Sequence, residues 1–270
     1  MTAQWPVIVI PVFNAAEALS QCIAATAATV PAEARVVVID DASTDPDVRS
    51  VLRDCPRQWE RIDHERNRGF VGTANHGMQR AGDADVVLLN SDTIPAGAWL
   101  ERMTAALHSH PRVASVTPFT NNGEIASLPE FCRAAAVPAD PERWADACLR
   151  AGPPRYPEIP TAVGFCMLLN RACLDRIGGF DVAFGRGYGE ENDWSMRADA
   201  DGWHHLLCDD AFVAHRGNAS FGPLGAGPGG AAMQTLVARH PDYPERVRKF
   251  IEADPIAPHR ARVLARLAER

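Results

Sequence analysis

Three short apolar runs, each closing on polar side chains, constrain this chain more than any other feature. Trp5 to Ile10 ends at Pro11, Arg35 to Ile39 closes on Asp40-Asp41, and Asp83 to Leu89 closes on Asn90-Ser91-Asp92. Continuous Val/Ile/Leu runs of this length read as strands buried on both faces, as in a parallel sheet. Helical patterns separate them: Ala15 to Ala28, with Asn14 placed to cap it, and Phe70 to Arg80. Trp99 to His108 is helical again and Val113 to Val116 reads as a strand. The alternation predicts an α/β fold, a mostly parallel sheet flanked by helices. Ligands of open α/β sheets bind beyond the carboxyl ends of the strands. Asn14, Asp40, Asp41 and Asp92 are therefore expected to face one crevice.

The second half is less regular. Glu124 to Pro160 is rich in proline and alanine, with one short helix expected near Pro141 to Arg150. Thr161 to Asn170 is strand-like, Gly178-Gly179-Phe180 a turn, and Glu190 to Ala200 a helix. His204 to Cys208 and Ala211 to His215 read as two short strands. Gly222 to Gly230 is a glycine-rich loop, expected to cover the site as a lid. From Ala231 the chain reads as two or three helices punctuated by proline, the last arginine-rich and amphipathic.

With 270 residues the chain is long enough to bury a substantial core, and its net charge of −7 disfavours general nucleic-acid binding. The seven cysteines form no CxxC pair, so free buried thiols in a reducing compartment are expected rather than disulfides or zinc. No run of about 18 apolar residues occurs, which makes a cytoplasmic location the expectation. The basic end of the last helix allows peripheral membrane contact, with a solvated helix face as the simpler account.

Four segments have residues suited to chemistry. Asp92, at a strand end, either caps a turn or holds a hard divalent cation against phosphate oxygens. Asp40-Asp41 repel one another unless they bind something, such as a base or a sugar hydroxyl, or unless the segment caps the next helix through Ser43 or Asp45. Glu190, Glu191 and Asp193 crowd a helix N-terminus, where they compensate the dipole or furnish a general base. His215 and Arg216 end the last strand, where imidazole can complete a metal shell. There is no Walker loop, and the first strand has no glycine- and lysine-rich phosphate loop, which argues against a nucleotidyltransferase.

The order of these pieces resembles glycosyltransferase family 2 over about residues 5 to 222. Val7-Ile8-Val9-Ile10-Pro11-Val12-Phe13-Asn14 is similar to the opening strand of the family. Val38-Ile39-Asp40-Asp41-Ala42-Ser43-Thr44-Asp45 resembles its second signature, and Asn67-Arg68-Gly69-Phe70, with Asn75 and Gly77, its third. Leu88-Leu89-Asn90-Ser91-Asp92-Thr93 occupies the place of the DXD motif. Gly189-Glu190-Glu191 to Arg197 sits at the Glu-Asp base motif, and His215-Arg216-Gly217 at the late histidine segment.

The resemblance implies the GT-A fold, with a Rossmann-like sheet and a helical C-terminal extension. It divides the chain into a domain over 1–222, with a nucleotide-binding half (1–118) and an acceptor and catalytic half (119–222), followed by 223–270. Pro11, Val12, Asn14, Asp40, Asp41, Asn67 and Arg68 would surround the nucleotide, with Asn90, Ser91 and Arg216 beside the diphosphate. Asp92 and His215 would hold Mg2+ or Mn2+. Glu191 would be the base, with Glu190 beside it and Asp193 as the alternative. The activity implied is inverting transfer from a UDP-, dTDP- or GDP-sugar to a saccharide or lipid-linked acceptor, as in bacterial surface polysaccharide synthesis. A non-catalytic sugar- or nucleotide-binding module within a larger glycosyltransferase assembly is the other reading. Two departures stand out: neutral Asn90 at the first DXD position, and Glu191 where the family more often has Asp.

Overall fold

The computed structural model describes residues 5–185, 189–217 and 230–269. In chain order the strands are β1 (Val7–Val12), β2 (Val36–Asp40), β3 (Glu60–Asp63), β4 (Val86–Leu89), β5 (Thr93–Pro95), β6 (Val113–Phe119), β7 (Cys166–Leu169) and β8 (His204–His215). The helices are α1 (Ala16–Thr29), α2 (Pro46–Arg53), α3 (Gly69–Arg80), α4 (Trp99–Leu107), α5 (Pro141–Arg150), α6 (Arg171–Ile177), α7 (Glu190–Ala200), α8 (Ala231–Arg239), α9 (Tyr243–Ala253) and α10 (Ala257–Ala268).

Among the described residues the sheet runs β3-β2-β1-β4-β7-β6-β8-β5. Pairing is parallel for β1 with β2 and β4, for β2 with β3, and for β6 with β8. β7 is antiparallel to both its neighbours, and β5 to β8. Two reversals restore direction, so β6 and β8 point the same way as β1, β2 and β4. The sheet is thus mixed rather than simply parallel, yet its main strands present their carboxyl ends along one edge. The buried V/I/L runs explain the strands: Val36 to Ile39 and Val86 to Leu89 are almost wholly buried, with helices over both faces.

Several local expectations change. The two short strands at the end are one strand, β8, with its register broken where Pro118 pairs Cys208 and Phe119 pairs Phe212. The extra residues form a bulge. There the Asp209 carboxylate accepts from the backbone N–H of Arg155 and Tyr156 and from His259 and Arg262 of α10. Asn14 does not cap α1. The cap position is Ala15, without a side-chain bond, while the Asn14 carboxamide accepts from the backbone of Thr44 and Asp45 at 2.8 and 3.0 Å. The capping residue of α2 is Asp45, accepting from Asp47 N–H. α2 is the helix that Ser43 or Asp45 is expected to cap, whereas β3, β5 and α6 have no counterpart in the sequence reading.

The seven cysteines are all free, five of them buried. No helix among the described residues is long and apolar enough to cross a membrane. The arginines of α10 have protein partners: Arg260 pairs with Asp254, Arg262 with Asp209, and exposed Arg266 reaches the Arg150 carbonyl and Glu269. The lid expected at Gly222 to Gly230 lies, apart from Gly230, outside the described residues.

Candidate active site

The crevice is built at the carboxyl edge. Register pairs Val12 with Asp40, placing the ends of β1 and β2 side by side. The two following loops are strapped together: Ser43 Oγ accepts from Asn14 N–H, Asp45 from Ala16 N–H, and Asn14 from Thr44 and Asp45. This strapping holds Asn14, Ala15 and Ala42 at φ of 60°, 58° and 58°, a left-handed conformation that costs non-glycine residues roughly 1–2 kcal/mol each. The result is a rigid cradle beside half-buried Pro11 and buried Val12.

The two acids of β2 have different surroundings. Asp40 accepts from Ser43 N–H at 3.0 Å. Asp41 is filled from within: its carboxylate accepts from the backbone N–H of Arg68 and Gly69 and from His64 Nδ1, all within 2.9 Å. A carboxylate can only accept, so Nδ1 of His64 bears the proton. His64 Nε2 meets His76 Nδ1 at 2.9 Å. Asn67 donates to the Asp41 carbonyl. Asp41 thereby fixes the entry to α3, where Asn67 and Arg68 stand exposed at the rim.

β4 delivers Asn90, Ser91 and Asp92 to the same edge, the last two buried. The antiparallel pairing of Thr93 with His215 brings the Asp92 carboxylate within 3.4 Å of His215 Nε2. On its other side His215 Nδ1 donates to the Asn122 carbonyl at 2.6 Å, which orients the ring and turns Nε2 toward Asp92. Burial opposes the charged imidazole, but the hydrogen bond and charge of Asp92 outweigh it and raise the His215 pKa. A carboxylate beside an imidazole of fixed tautomer is a donor set suited to Mg2+ or Mn2+. No third His, Cys, Asp or Glu completes a cluster among the described residues, so a cation here would take its remaining ligands from the substrate and water. The guanidinium of Arg216 lies away from this pair, on Glu17 and Gln21 of α1.

The acidic start of α7 comes next. Gly189 turns into the helix at φ 98°, a conformation suited to glycine. Glu191 is half-buried; its carboxylate accepts from Gly189 N–H and from the Asn192 amide, each at 3.2 Å. Glu190 is buried, and its Oε2 has no hydrogen bond. Burial is the main cause that raises both pKa values, Glu190 well above the ordinary range, with the negative charge of Glu191 adding to it. Asp193 points elsewhere, into Arg197, Arg239 and His240.

The dipeptide Gly164-Phe165 joins the two centres. A Cβ on Gly164 would stand 3.6 Å from the Glu191 side chain, and Phe165 stacks on the His215 ring at 5.3 Å. The Phe165 carbonyl also accepts from Asn90 N–H at 2.9 Å. Nothing in the local sequence marked Gly164, Phe165, His64 or Asn122. They act through contacts between segments far apart in the chain.

This architecture is the GT-A glycosyltransferase fold. Similar solved structures are GalNAc-T7 with UDP, GalNAc and Mn2+ (TM-score 0.66, 16% identity, covering 98% of this chain and 55% of that one), and the Pyrobaculum calidifontis mannosyltransferase PcManGT with GDP-Man and Mn2+ (TM-score 0.57, 17% identity, 99% and 75%). Residues 7–178 match glycosyl transferase family 2, and the chain belongs to that family. Among curated proteins, glycosyltransferase AglE of Haloferax volcanii is 28% identical over 109 residues, 38% of this chain and 36% of AglE. An uncharacterised Mycobacterium tuberculosis protein is 34% identical over 74 residues, 25% of this chain and 28% of that protein. The match thus spans about a third of these curated relatives.

Proposed function

We propose that the protein transfers a sugar from a nucleoside-diphosphate sugar to a hydroxyl of a saccharide or lipid-linked acceptor, with inversion. The observation that carries this reading is the Gly164-Phe165 dipeptide, which has the base-bearing Glu191 on one side and the Asp92–His215 pair on the other. The family and the donor complexes of GalNAc-T7 and PcManGT support it.

In this reading the Asn14 cradle, Pro11, Val12 and Asp40 hold the nucleoside, with Asp41, Asn67 and Arg68 shaping its rim. Asp92 and His215 hold Mg2+ or Mn2+, which when bound neutralises charge developing on the departing diphosphate. Asn90 and Ser91 line that position, and Arg216 would have to leave Glu17 to reach it. Neutral Asn90 leaves Asp92 as the anionic protein ligand. Glu191 takes the proton of the acceptor hydroxyl as its oxygen attacks the anomeric carbon from the face opposite the leaving diphosphate. The raised pKa makes its carboxylate a stronger base than an exposed one. Bacterial surface polysaccharide synthesis, in the cytoplasm, is the setting we propose, with the transferred sugar a hexose or deoxyhexose.

The test is turnover of a panel of UDP-, dTDP- and GDP-sugars with manganese, with EDTA, and with Asp92→Asn. Turnover of one donor, lost in the latter two, is expected. Binding of no donor in a thermal-shift panel would overturn the donor-site assignment.

A further inference from the structure

Asp193 lies two residues beyond Glu191, about 200° further round the helix. When Glu191 faces Gly164, Asp193 must therefore face away from the crevice. What it meets there is the C-terminal extension. His240 Nε2 donates to Asp193 Oδ1 at 3.0 Å, and Arg239 at the end of α8 stands 3.3 Å from the same oxygen. Arg197 holds the other oxygen at 2.8 Å, so three donors surround a side chain only 1% exposed. The pairing reaches further. Arg239 also pairs with Asp181 at 2.8 Å. Arg197 donates to the carbonyls of Ile177 and Gly179. Leu236 of α8 is fully buried, close to the Gly189 turn that opens α7. Further along, Arg246 of α9 pairs with Asp199 at 2.8 Å.

We infer that α8 clasps the catalytic helix, so that Arg239 and His240 are positioning residues that set the rotation of α7 and hence the aim of Glu191. The clasp acts on the one feature of a general base most sensitive to small displacement, its position relative to the hydroxyl proton. Arg239 and His240 are themselves on the far side of α7 from the crevice. The inference rests on the transferase reading for its kinetic consequence and on the geometry alone for its mechanical one.

Two measurements test it. In the full chain, Arg239→Met and His240→Leu are expected to lower kcat by about 10- to 100-fold, a range typical of misplacement by about an ångström. Donor KM should stay within about twofold, because uniform donor binding is untouched. Arg239→Lys and His240→Gln, which keep a donor, should recover most of the loss. Hydrogen exchange should quicken about tenfold across 190–197 in the two disruptive variants, and should not in Arg248→Ala, which removes exposed pairs on α9 with Glu245 and Glu252. Unchanged kcat, or kcat and KM changing together without rescue, would overturn the inference. If no donor turns over in the unaltered protein, the transferase reading fails, and exchange across α7 alone decides whether the clasp exists.

Discussion

His215 Nε2 stands 3.4 Å from Asp92 Oδ1 because Thr93 and His215 are register partners in two antiparallel strands. In the proposed metal site, replacing the imidazole would remove one ligand and leave the strand pairing intact. His215→Ala should raise the manganese concentration for half-maximal donor turnover by about 10- to 100-fold, with a small change in urea midpoint. An unchanged metal requirement would remove His215 from the metal site.

Asp40 and Asp41 should separate under mutation. Asp41 accepts two backbone N–H groups and a buried histidine; Asp41→Ala orphans all three and should cost about 3 kcal/mol of stability. Asp40→Asn should instead weaken donor affinity, read by calorimetric titration, with little change in the unfolding curve. Equal losses of stability in both variants would contradict the division.

Buried Glu190 and half-buried Glu191 predict different effects at adjacent positions. Glu190 keeps its proton longer when folded than when unfolded, since its pKa lies well above the ordinary 4.5. The stability it contributes is complete below that value and is lost as pH rises through the folded pKa. Glu190→Gln, which never ionises, should therefore flatten the decline of stability above pH 4.5 and leave a more stable protein at neutral pH. Denaturant melts over a pH series check this. As the proposed base, Glu191 must be ionised to accept a proton, so the acid limb of the pH–rate profile should lie above the ordinary 4.5, and Glu191→Gln should remove transfer.

Gly77 of α3 faces β1: a Cβ there would fall inside the contact shell of Val9 Cγ1. Gly77→Ala should cost about 1–3 kcal/mol through overpacking, seen as a lower urea midpoint with an unchanged slope.

What the sequence made legible was what local pattern controls. β1, β2 and β4 followed from their Val/Ile/Leu runs, and the polar residues after them reached one edge as strand direction demands. β3 was hidden because Glu60–Asp63 is a half-exposed edge strand with alternating burial and two charged ends. β8 was split in reading because Asp209-Asp210 looks like a break; their bulge survives through partners in α10 and at 155–156, remote in sequence. Asn14 looked like a cap because local sequence cannot report that its carboxamide serves the neighbouring loop. The same limit left Glu191 and Asp193 as alternatives: that Glu191 faces Gly164 while Asp193 meets His240 is decided by residues that no window around 191 contains.

The place of β7 bears on how the chain is made. β7 sits between β4 and β6, yet it is translated after both. During vectorial synthesis the Val86–Leu89 edge has no partner on that side until residue 169 has left the ribosome, and for that interval it is a sticky, unpaired strand. A chain whose synthesis stalls anywhere in 119–165 would therefore leave the Val86–Leu89 edge of β4 open to self-association. Residues 1–118 and 119–222 are thus tied into a single sheet by a strand inserted between two earlier ones.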